Sequence, residues 1–124
     1  MANISEILTW TFTQEADRIP PEVLQILVPG EKPVAAYKTI RDVAVVTNKR
    51  FIIADKQGIT GRKVEVYSIP FKSIDMYSSE NAPGMLDVNT EMEFWTKSGH
   101  FKLNLKKDVD IRKLDQLIAT YVLG

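Results

Sequence analysis

The sequence predicts a mainly β domain with helical segments at its two ends. Three observations carry this. From Pro33 to Lys106 apolar and polar residues alternate with a period of two. That stretch is broken at short intervals by segments rich in Gly, Pro, Asn and Ser. The residues before and after it show apolar spacings of three and four instead.

The first element is expected to be an amphipathic helix over residues 3–18, capped by Asn3 or Ser5. Ile4, Ile7, Leu8, Thr11 and Phe12 fall on one helical arc, and Trp10 projects to one side of it. The segment PPEVLQIL, residues 20–27, reads as a second short helix, because a proline in a first helical turn forfeits no needed hydrogen bond. VPGEKP, residues 28–33, then breaks the chain. Residues 1–32 are thus expected to be a helical extension of a β domain over residues 33–124, one domain overall. A chain of 124 residues buries roughly two thirds of its unfolded surface, enough for a core without staples.

Seven strands are expected, at about residues 34–40, 42–48, 50–55, 63–69, 73–79, 86–96 and 100–106. Their connections are TNKR, KQGITGR, IPFKS, NAPGM and KSGH. Short strands in series joined by tight turns predict an antiparallel meander. In VAVVTNKRFIIADKQG, with Asn48 and Lys49 at the centre of a turn, Thr47 faces Arg50 and Val46 faces Phe51. The basic pair Lys49 and Arg50 then either sits in solvent at a hairpin corner or contacts an anion. For the last hairpin, a two-residue turn at Ser98–Gly99 sets Thr96 opposite Phe101, Phe94 opposite Leu103 and Met92 opposite Leu105 on one face. The other face then carries Trp95 with Lys102 and Glu91 with Lys106. DVDIRKLDQLIATYVLG closes the chain as a helix capped by Asp108 or Asp110, with Ile111, Leu114, Leu117, Ile118 and Tyr121 in one stripe.

The stretch VVTNKRFIIADKQGITGRKVEVYSIPFKSI resembles bacterial pleckstrin-homology (PH) domains. Thr47, Asn48, Arg50, Phe51 to Ile53, Asp55, Gly58, Gly61, Ile69, Pro70, Phe71 and Ile74 stand at the positions of that pattern, and the likeness covers about residues 33–123. The resemblance implies a PH-like barrel of seven antiparallel strands in two orthogonal sheets, its open corner plugged by the final helix. It also implies a homo-oligomer, ring-like in similar bacterial PH domains. Eukaryotic PH domains that hold phosphoinositides place a run of Lys and Arg across the first hairpin. AAYKTIRDVAV offers only Lys38 and Arg41 beside Asp42, so phosphoinositide binding is not expected.

Composition excludes several chemistries. Sixteen Lys and Arg balance sixteen Asp and Glu, so the chain has no long-range attraction to nucleic acid, and none is expected as a partner. Without cysteine there is no disulfide, thiolate metal site or cysteine nucleophile. The N-terminus lacks the basic start and unbroken apolar run of a secretory signal, and a cytoplasmic protein is expected. The single histidine, His100, has no partner in sequence for a metal or a triad, and Glu91 and Glu93 have cross-strand partners. No catalytic residue, metal or cofactor is therefore expected. Surface apolarity remains. Trp10, Tyr67, Ile69 and Trp95 are the candidate contacts with a second copy of the chain or another protein. Both faces of the strand around Val64, Val66, Tyr67 and Ile69 carry apolar bulk, to be covered by the N-terminal segment or by a neighbour. A ligand or anionic membrane surface would instead meet Lys38, Arg41, Lys49, Arg50, Arg62 and Lys63.

Overall fold

The computed structural model describes residues 7–58, 62–81, 90–106 and 109–124. The chain runs through β1 (Ile7–Phe12), β2 (Gln14–Glu15), α1 (Pro21–Leu24), β3 (Pro33–Lys38), β4 (Val43–Thr47), β5 (Arg50–Gln57) and β6 (Lys63–Pro70). A 3-10 turn at Phe71–Ser73 leads to β7 (Ile74–Glu80), β8 (Thr90–Thr96), β9 (His100–Leu105) and α2 (Ile111–Leu123). One sheet has the order β2-β3-β4-β5-β6 and the other β1-β9-β8-β7.

The strands from β3 to β9 are the seven that alternation predicts; residues 86–89 of the sixth expected strand lie outside the described residues, as do Asn3, Ser5 and Asp108. The expected helix over 3–18 is corrected. Ile7–Phe12 is a strand that pairs in parallel with β9, from Ile7 beside His100 to Phe12 beside Leu105. In ILTWTF the helical arc and the two-residue alternation share Leu8 and Phe12. The run of β-branched and aromatic residues favours the pleated surface, and pairing with β9 decides for it. The strand then crosses from one sheet to the other. Lys106 N donates to Phe12 O at 3.0 Å, and Thr13 N donates to Lys38 O at 3.0 Å.

Leu8, Trp10 and Phe12 point inward with Phe101, Leu103, Leu105, Phe94 and Met92, against Tyr37, Val46, Phe51 and Ile53 of the other sheet. Ile111, Leu114 and Ile118 of α2 close this core, and Tyr121 stacks on Phe71 with ring centroids 5.7 Å apart. Asp110 caps α2 by accepting from Arg112 N at 3.1 Å and Lys113 N at 3.2 Å.

The last hairpin keeps its predicted faces but shifts its pairing by two residues: Phe94 lies opposite Phe101 and Met92 opposite Leu103. The cause is Thr96. Its hydroxyl oxygen accepts from Ser98 N at 3.1 Å and Gly99 N at 3.0 Å, widening the turn to four residues. An even shift leaves every side chain on its own face. The TNKR turn follows the same plan. Thr47 Oγ1 accepts from Lys49 N and Arg50 N, both at 3.0 Å, and Val46 pairs with Phe51 as expected. No left-handed residue other than glycine occurs among the described residues, so the turn does not use the conformation that asparagine tolerates.

A second apolar layer lies on the outer face of the five-stranded sheet. Val23, with Ala16, Ile19 and Leu27, covers Ala36, Val45, Ile52, Ala54, Val64 and Val66. The two-sided apolarity of β6 is thus met within the chain by the segment around α1.

Candidate interaction surfaces

The segment around α1 is locked down by the TNKR turn. Arg50 Nε donates to Glu31 Oε2 at 2.8 Å and Arg50 Nη2 donates to Glu31 Oε1 at 2.9 Å, a two-point contact of guanidinium and carboxylate. The same guanidinium donates to Ile26 O at 2.6 Å and to Ser68 Oγ at 3.0 Å. Thr47 Oγ1 donates to Glu31 Oε2 at 2.7 Å, and Val28 N donates to Glu31 Oε1 at 3.1 Å. Asn48 completes the clamp: its Oδ1 accepts from Lys32 N at 2.8 Å and its Nδ2 donates to Gly30 O at 3.1 Å. The Arg50 hydrogen bond, then those of Thr47 and Val28, outweigh the cost of burial and hold the Glu31 carboxyl at about 2, well below its ordinary 4.5. Thr47, Asn48 and Arg50, which carry the resemblance in sequence, serve the interior of the protein. Sequence reading placed Glu31 in a break; its only signal is a carboxylate between Gly30 and Lys32.

The six candidate anion contacts do not converge. Strands β3 to β6 are antiparallel, so residues 39–42, Gly58 and Arg62 lie at one end of the sheet and the TNKR turn lies at the other. Lys38, Arg41, Arg62 and Lys63 belong to the first end, where Arg41 Nη2 donates to Gly58 O. Gly58 has φ +77°, a left-handed backbone that only glycine adopts without strain. Lys49 and Arg50 are at the opposite end, and Arg50 is engaged by Glu31.

Three of the four candidate contact residues lie on the inner side of the barrel. Trp10 is 6% exposed, donates from Nε1 to Asp55 Oδ2 at 3.1 Å, and meets the Tyr67 ring edge-on at 5.1 Å. Its position follows from the strand: on a helix it falls off the stripe, but in β1 it points inward. Ile69 is buried, and half-buried Tyr67 packs on the same core. Trp95 alone faces outward. Pairing across the four strands sets Ile7, His100, Trp95 and Met76 in one row on the outer face. Trp95 stacks on His100 at 4.6 Å, and Ile7 and Met76 are 44% and 55% exposed. The next rows are Thr9, Lys102, Glu93 and Ser78, then Thr11, Asn104, Glu91 and Glu80. Glu93 Oε2 lies 2.6 Å from His100 Nε2, and Glu91 Oε1 lies 3.3 Å from Lys102 Nζ. Among the described residues, no apolar layer covers this face.

A cleft of about 450 Å³ opens between residues 68–75 and the 96–98 turn, with Ile69, Pro70 and Phe101 as its apolar wall. Lys72, Lys97 and Asp75 stand around it. No group of three His, Cys, Asp or Glu side chains is placed to hold a metal among the described residues. No helix among them is long and apolar enough to cross a membrane.

The model of the bacterial PH domain family matches residues 3–122. The chain belongs to that family. This bacterial PH domain is 38% identical over 122 residues to YjqA, an uncharacterized protein of Bacillus subtilis, spanning 96% of the chain and 97% of the relative. It is 32% identical over 97 residues to uncharacterized YozO of the same organism, spanning 78% and 83%. A protein with a pleckstrin-homology domain from Shewanella loihica superposes with a TM-score of 0.76 at 34% identity, over 89% of this chain and 98% of that one. A pleckstrin homology domain from Shewanella amazonensis superposes with a TM-score of 0.67 at 38% identity, over 83% and 84%. The PH-like barrel closed by α2 is therefore the fold of this bacterial PH domain, and strands β1 and β2 are part of its two sheets.

Proposed function

We propose that this bacterial PH domain is a noncatalytic, cytoplasmic interaction module that self-associates into a homo-oligomer. The carrying observation is the asymmetry between its two outer sheet faces. The five-stranded sheet has its apolar outer face covered by its own residues around α1. The four-stranded sheet leaves Ile7, Trp95 and Met76 in a row without such a cover among the described residues. An apolar row of this kind on an otherwise charged sheet favours association. Size-exclusion chromatography with light scattering tests the reading: a mass that is a multiple of 14.1 kDa supports it, and a monomer at every concentration removes it.

A second reading, a binder of a ligand or an anionic membrane surface, draws on Lys38, Arg41, Arg62 and Lys63 at one end of the barrel. Lys49 and Arg50 do not join them, which leaves fewer cations for multiple phosphate contacts. Salt-sensitive pelleting with anionic liposomes would favour this reading; its absence would remove it.

A further inference from the structure

The cleft beside the last hairpin is built from three local irregularities of the chain. The 3-10 turn Phe71–Ser73 carries Lys72, and the turn opened by Thr96 carries Lys97. β7 begins with a bulge: its pairing with β8 shifts between Ile74 and Met76, so Asp75 has no partner across the ladder. The bulge breaks the alternation, and Asp75 is exposed together with Met76 while Ile74 stays buried. All three charged residues line the cleft.

The cleft lies where the two sheets part. β6 is the last strand of the five-stranded sheet and β7 that of the four-stranded sheet, and the 3-10 turn joins them. The apolar wall is Ile69, Pro70 and Phe101, and Phe101 is backed by Trp10, whose ring stacks on it at 6.3 Å. The barrel core thus fixes this wall in place. A cleft of about 450 Å³ at the mouth of a barrel has the size and the setting of a small-molecule site.

The charges narrow the class of ligand. Among the described residues, neither lysine is paired with a carboxylate and Asp75 is not paired with a cation. Two cations against one carboxylate leave a single net positive charge at the rim. Arg50, which donates to Ser68 on the wall, adds none because Glu31 neutralises it. An apolar body with one negative charge matches this balance, and a doubly charged phosphate does not. Lys38, Arg41, Arg62 and Lys63 take no part, because Pro70 pairs with Arg50 at the opposite end of the five-stranded sheet.

We propose that this cleft binds a small apolar carboxylate, its body against Ile69, Pro70 and Phe101 and its charge held by Lys72 and Lys97. The site is formed within one chain and does not rest on the self-association proposed above.

Isothermal titration calorimetry with naphthoate and with octanoate as probes tests this. One molecule per chain is expected to bind with a dissociation constant of about 1 mM or tighter, the range usual for ligands of this size. Replacing both lysines, Lys72→Ala with Lys97→Ala, is expected to weaken binding about tenfold, and Asp75→Asn to tighten it about twofold by removing a like charge. All three residues are exposed, so the melting temperature is expected to stay unchanged, and a tightened variant is not a damaged one. Naphthalenemethanol, the neutral analogue, is expected to bind about tenfold more weakly than naphthoate. The proposal is overturned if neither carboxylate binds at roughly 10 mM, or if the double lysine variant binds as the wild type does. It is overturned equally if the alcohol binds as well as naphthoate, or if Asp75→Asn weakens binding.

Discussion

Glu31→Gln isolates the clamp that holds the α1 segment on the barrel. The amide has the shape of the carboxylate, but it cannot neutralise Arg50, whose side chain is 19% exposed against 0% for Glu31. Arg50 is thus left partly desolvated with its remaining contacts to Ile26 O and Ser68 Oγ. The Glu31 pKa falls from 4.5 to about 2, and at about 1.4 kcal/mol per unit this corresponds to roughly 3–4 kcal/mol of stability at neutral pH. A depressed carboxylate contributes fully above its unfolded value and loses its contribution as pH falls through the folded one. The difference between wild type and variant is therefore expected to be complete above pH 4.5 and to shrink as pH approaches about 2. Urea titrations of both proteins at pH 7, 4 and 2.5 read this directly, and at neutral pH the melting temperature is expected to fall by roughly 10 °C. Arg50→Lys keeps the charge but loses the two-point contact, and is expected to fall between the two. A Glu31→Gln loss below about 0.5 kcal/mol at pH 7, or a difference that stays constant down to pH 2.5, would refute the clamp.

Other elements make separate predictions. Thr96→Val removes the acceptor for Ser98 N and Gly99 N and is expected to cost about 1 kcal/mol, with faster amide exchange at those two residues by NMR. Unchanged exchange would show that the turn does not depend on the hydroxyl. Asp110→Ala removes the cap of α2 and is expected to cost about 1 kcal/mol in chemical denaturation. Leu114→Ala, at a fully buried position of the same helix, is expected to cost about 2–5 kcal/mol. If the cap variant cost more than the core variant, the account of how α2 is attached would be wrong.

What the sequence discloses here depends on how local the deciding interaction is. Strands β3 to β9 alternate clearly and end at turn residues, so their pattern can be read without knowing their partners. β1 cannot be read that way. Leu8 and Phe12 satisfy a helix and a strand alike, and the choice is made by β9, which lies at the other end of the chain. The same choice sets Trp10, which a helix puts at its side and the strand puts inside the barrel. The pairing of the last hairpin was hidden because a threonine hydroxyl, not a glycine, shapes the turn. The repeated pattern of Thr47 and Thr96 opening two turns is the signal that was there to use. Glu31 lies 19 residues from Arg50, so no local pattern joins them. Trp95 was legible as outward-facing, because its strand alternates and the even register shift left its side unchanged.

Trp95 also supplies the most direct test of the central claim, that the open face of the four-stranded sheet is a contact between copies. The chain has two tryptophans, so Trp10→Phe leaves Trp95 as the only indole reporter. Acrylamide quenching of that variant is measured across a dilution series, with the mass followed by light scattering. The account predicts strong quenching in dilute monomer and protection that rises as the mass climbs to multiples of 14.1 kDa. Quenching that stays the same while the oligomer forms would place the contact elsewhere and contradict the claim.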